Sequence, residues 1–151
     1  MPLGICSWDF ELRGGGREAR LGYGWPTESG WINIDGHSHE VRKRSFLGGE
    51  WQMLDGDRVV FEASKRNPFT RCFDLRGSSG GYVLEADSFA CRNMTLSGSD
   101  AAMTIETAHL FTRRATIRGR MLDFDLAVFA FWLAALTWRR AANNSSSSGA
   151  T

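Results

Sequence analysis

The sequence predicts a mainly β protein, a closed antiparallel barrel of about eleven strands around one central hydrophobic C-terminal helix. Three observations predict it. Residues 7–118 alternate apolar and polar side chains with period two. Glycine and aspartate turns interrupt that alternation about every 20 residues. Beyond Arg120 the period changes, and residues 126–138 are apolar on every side of a helix except for Thr137. A chain of 151 residues fits one domain.

The strands follow in order. Trp8, Phe10 and Leu12 alternate with Asp9, Glu11 and Arg13; Val59, Phe61 and Ala63 alternate with Val60, Glu62 and Ser64; Tyr82, Leu84 and Ala86 alternate with Val83, Glu85 and Asp87. Each run reads as a strand with one buried face. Residues 14–16, 35–36, 48–49, 55–57, 77–81 and 97–100 supply the hairpin turns. Strand edges are expected near residues 7, 18, 31, 38, 50, 58, 69, 81, 92, 101 and 111. The helix is expected over 125–140 with Asp125 as its N-cap, followed by a disordered tail, 141–151, that carries Ser145 to Ser148.

Such a sheet must split into a sandwich or curl on itself, and the helix decides between these. Fifteen residues to Arg140 span about 22 Å, short of the ~30 Å hydrocarbon core of a bilayer. A helix buried in protein is therefore favoured over a tail anchor with Arg139 and Arg140 at the membrane interface. A barrel of eleven strands is too wide for side chains alone to fill, so the helix serves as its plug. Phe129, Phe131, Trp132, Leu133 and Trp138 are the expected core residues of the helix, packing on Trp8, Phe10, Phe61, Phe73, Leu84, Met94 and Leu96.

Composition excludes several function classes. Eighteen basic against 17 acidic residues leave a charge of +1, without the basic excess of a protein that binds nucleic acid through phosphates. Cys6, Cys72 and Cys91 are odd in number and widely spaced, which gives no disulfide framework. Residues 1–9 lack a basic stretch followed by an apolar one, so a cytoplasmic location with reduced thiols is expected, possible membrane contact being peripheral.

The residues also carry a likeness. Residues 31–36 (WINIDG) before a basic strand, residues 51–54 (WQML) with the hairpins after them, and the apolar terminal helix closed by a double arginine resemble the tubby C-terminal-like superfamily, which includes the phospholipid scramblases and the plant LURP-one-related proteins. The resemblance covers residues 8–140 and implies a closed barrel of twelve strands around a hydrophobic helix. It implies a non-enzymatic scaffold or binding module that contacts anionic phospholipid headgroups or a protein partner. Some tubby-related proteins bind phosphoinositides through basic surface residues, which makes Arg42, Lys43, Arg44, Arg113 and Arg114 the candidate headgroup contacts. The acidic calcium-associated segment of scramblases is reduced here to Asp123 and Asp125, too few oxygens for calcium.

Enzyme chemistry has thinner support. Residues 77–81 match G-x-S-x-G, but a nucleophile elbow needs a helix after the serine, and here a strand follows. A triad of Ser79, His109 and Asp100 is therefore set aside for a hairpin loop. Asp35, His37 and His39 occupy alternate positions, and two imidazoles so spaced suit a metal if Glu50 or His109 joins them. Two ligands are not a site, and an outward polar strand face is the expectation. No catalytic residue, metal or cofactor is assigned; a small hydrolase or metal-dependent enzyme is the remaining alternative.

Overall fold

The computed structural model describes residues 8–24, 27–45, 47–88, 92–107, 115–120 and 123–147. Eleven strands precede one helix: β1 (Phe10–Gly14), β2 (Arg17–Tyr23), β3 (Gly30–Ile34), β4 (His37–Lys43), β5 (Glu50–Asp55), β6 (Arg58–Lys65), β7 (Cys72–Gly77), β8 (Gly80–Ala86), β9 (Met94–Gly98), β10 (Ala102–Thr107), β11 (Ala115–Arg120) and α1 (Phe124–Ser147). They form a single antiparallel sheet in sequence order. Asp35 and Gly36, with φ of 51° and 86°, join β3 to β4 through the left-handed conformations of a tight hairpin.

The expected closed barrel does not form. Among the described residues β1 pairs with β2 and β11 with β10, and no ladder joins β1 to β11. Parity supplies a physical reason. In an antiparallel meander of eleven strands the first and last run the same way, so direct closure would need a parallel ladder with its slanted, slightly weaker bonds.

The helix is nevertheless enclosed by protein. Residues 126–138 are 0–6% exposed, and no described helix is long and apolar enough to cross a membrane. Phe10 meets Phe131 edge-on at 5.3 Å between ring centroids, and Phe61 stacks on Phe129 at 6.0 Å. Each such burial is worth about 1.5–3 kcal/mol. Buried indoles find backbone acceptors, as buried polar groups must: Trp132 Nε1 donates to the Gly22 carbonyl, Trp138 Nε1 to that of Arg92, and Trp51 Nε1 to that of Glu28. A Cβ on Gly30 would stand 2.1 Å from the Gly22 oxygen and 3.1 Å from Trp132 Nε1, so only glycine lets β2 and the helix approach there.

Local details depart from the sequence reading. Asp123, not Asp125, caps the helix: its Oδ1 accepts from the amides of Asp125 and Leu126. Asp125 sits in the first turn, ion-paired with Arg17 at 3.1 Å. Val59 lies on the exposed side because the β5–β6 register shifts at Met53 and Leu54, and that bulge breaks the alternation which places Phe61 and Ala63 inside. The helix continues past Arg139 and Arg140 to Ser147, so these arginines lie inside it.

Candidate functional site

The seam left by the unjoined edges is a groove of about 740 Å³. One wall is β1 with Glu11, Leu12 and Arg13; the other is β11 with Ala115, Thr116 and Ile117; the floor is Phe124, Ala127 and Phe131 of the helix. Leu12, Ala115, Ile117 and Phe124 pack on the core yet stay only half-buried. On β11 the half-buried Ala115 and Ile117 alternate with exposed Thr116 and Arg118, the period of a strand with one face toward the helix. Charges rim it. Arg13 pairs with Glu11 at 2.6 Å, Arg118 with Glu106 at 3.4 Å, and Arg17 lies over the Phe124 ring at 4.9 Å.

The basic strip on β4 is largely committed to carboxylates. Arg42 donates through Nε and a terminal nitrogen to both oxygens of Glu40, at 3.0 and 3.1 Å. Lys43 Nζ reaches Glu28 at 2.6 Å and lies 5.6 Å from the Trp51 ring. Arg44 borders a shallow hollow of about 230 Å³ whose lining includes Glu50, Glu62 and Asp74 but only one further cation, Arg76. That lining does not favour an anion. Arg113 and Arg114 lie outside the described residues.

Lys43 belongs instead to a clamp on the helix. Arg140 donates both Nε and a terminal nitrogen to Glu28, which also accepts from Lys43. Burial works to raise the Glu28 pKa, yet the hydrogen bonds and charges of Arg140 and Lys43 outweigh it and hold the carboxyl at about 2. Nearby, the Tyr23 hydroxyl donates to the Trp132 carbonyl at 2.6 Å, and Arg139 lies over the Tyr23 ring at 5.3 Å. Glu28 and Tyr23 were not candidates on sequence grounds; only the docked helix brings their partners to them.

Ser79 lies in the tight turn between β7 and β8 with strands on both sides, so the geometry of a nucleophile elbow is lacking. Asp100 sits in the β9–β10 turn, and His109 lies outside the described residues. Cys72 is a buried free thiol whose pKa burial raises, whereas Cys6 and Cys91 are outside the described residues.

The histidines correct the expectation of an outward polar face. His37 and His39 share the face of the buried Val41, and His39 itself is 7% exposed. Asp35 does not join them: its carboxylate accepts from Arg17 Nε at 2.7 Å and from the Glu18 amide at 2.9 Å. Glu50 lies at the far end of β5, whereas Asp55 ends that strand beside the histidines. The rings of His37 and His39 stand edge-on at 4.9 Å, and His37 Nε2 lies 2.8 Å from Asp55 Oδ1. Burial lowers the His39 pKa, His37 adds to that, and Asp125 and Asp55 oppose it. Strand periodicity carried the signal that His37 and His39 share the core face; the role of Asp55 needed the cross-strand register.

Comparison with protein-family models, curated proteins and solved structures finds no match, so none of them identifies the tubby C-terminal-like superfamily.

Proposed function

We propose that this chain is a non-enzymatic binding module that takes up an extended protein segment as a strand in the seam between β1 and β11. The observation that carries the reading is a pair of strand edges with no ladder between them among the described residues, running in the same direction above an apolar helix. One segment laid between them runs antiparallel to both and satisfies both rows of backbone donors and acceptors. Its alternate apolar side chains cover Leu12, Ile117 and Phe124, which water now touches. Its outward side chains meet exposed Arg120, and Arg13 and Arg118 beside their partners Glu11 and Glu106, which favours polar residues there with an acidic one opposite Arg120. The phospholipid reading has weaker support, because Arg42 and Lys43 already hold carboxylates.

The test uses a fluorescent peptide of about eight residues that alternates valine with glutamate, the length of an ordinary strand. Saturable binding, with amide shifts concentrated in β1 and β11, is the expected result. Leu12→Glu and Ile117→Glu should each weaken binding tenfold or more. Unchanged affinity in both variants contradicts the proposal. So does binding to phosphatidylserine vesicles with shifts centred on β4, which would favour the headgroup instead.

A further inference from the structure

A second feature of the molecule, at one end of the sheet, is independent of the seam. We propose that His37, His39 and Asp55 bind a borderline first-row divalent cation of the zinc type. One ring nitrogen from each histidine and one Asp55 oxygen all lie within 4.8 Å of one another. The backbone sets this up. His37 and His39 are two apart on β4 and share a face, while the Glu40–Leu54 pair of the β4–β5 ladder brings Asp55 alongside His39 one step further on. No loop has to fold over to assemble the set.

His39 supplies the observation that points to a ligand. The residue is 93% buried by the complement of its 7% exposure, and its Nδ1 has no hydrogen-bond partner. A buried imidazole nitrogen left unpaired carries a desolvation penalty, and coordination through Nδ1 removes it. Two imidazoles and one carboxylate are the donor set of many open zinc sites, with a fourth position for water, and nitrogen donors disfavour magnesium and calcium. Zinc ligands at 2.0–2.1 Å stand roughly 3.4 Å apart, so donors as far as 4.8 Å apart close in by about 1.4 Å while the 2.8 Å His37–Asp55 pair opens slightly. His37, whose side chain is 63% exposed, is free to swing. The cation replaces the direct His37 Nε2–Asp55 Oδ1 contact. The local charge suits it: among the described residues Arg17 pairs with Asp35 and Asp125 and Arg58 with Asp55, two guanidinium groups against three carboxylates.

Metal-free, untagged protein is titrated with zinc chloride at neutral pH by calorimetry, and cobalt(II) reports coordination geometry through its visible absorption. One-to-one uptake is expected, with a rise in Tm of about 5–10 °C at a free zinc concentration 100 times Kd. His37→Ala and Asp55→Asn should each lose at least tenfold in zinc affinity. The His37 side chain is exposed, so that variant should keep the metal-free Tm within about 2 °C. A tenfold or greater loss in both variants supports the site. No stoichiometric uptake, or affinity within tenfold of the parent in either variant, overturns it; uptake by the three cysteines would read out in that second way.

Discussion

The two flanks of the helix are built differently. Toward β2 and β3 the contact is sealed: Trp132 donates to the Gly22 carbonyl, Tyr23 donates to the Trp132 carbonyl, and Glu28 holds Arg140. Toward β1 and β11 no ladder crosses among the described residues, and Leu12, Ala115, Ile117 and Phe124 remain half-buried. The same apolar helix thus meets a sheet that satisfies its polar groups on one flank and, among the described residues, leaves strand edges unpaired on the other. Stability should concentrate on the first flank and ligand contact on the second, since binding surfaces are drawn from the less stable parts of a fold.

That contrast can be broken most severely at Trp132. Trp132→Asp places an unpaired charge at a fully buried position and should leave no cooperative thermal transition in circular dichroism. Retention of the parent Tm would show that the helix is not the centre of the fold. Gly30→Ala attacks the same flank by steric pressure on the Gly22 oxygen and should cost about 3 kcal/mol in urea unfolding.

Both of these positions were only partly visible beforehand. The apolar run 126–138 announced a core helix, and eleven strand edges could be counted from alternation and turns, because those signals are local. The tight fit of Gly30 against Trp132 joins residues about a hundred positions apart and leaves no local mark. The open seam was legible in principle: an odd number of meandering strands leaves the outer two parallel. Whether an edge stays open also depends on twist and register, which a single sequence does not display. The Val59 bulge and the capping role of Asp123 are shifts of one or two residues, finer than periodicity resolves. For the metal proposal, the histidine pair was visible by spacing and Asp55 was not.

The clamp at Glu28 sharpens the comparison by pH. Its carboxyl is depressed from an ordinary 4.5 to about 2 in the folded chain. The stabilisation is therefore complete above the unfolded pKa and is lost as pH falls through about 2. Glu28→Gln should cost about 2 kcal/mol at pH 7, allowing for partial solvent exposure, and the gap between parent and variant should narrow steadily below about pH 4.5. Parallel stability curves over that range would remove Glu28 from the account. The smallest effect belongs to the open flank: Ile117→Thr, at a half-buried position on an edge strand, should cost only about 0.5 kcal/mol.

Amide hydrogen exchange tests the central claim most directly, because it reads the two edges without any ligand. Alternate amides of β1 and β11, those not bonded to β2 or β10, should exchange orders of magnitude faster than the amides of β5 and β6. Protection of every β1 and β11 amide to the level of β5 and β6 would mean that the edges are paired, and the seam would be no binding site.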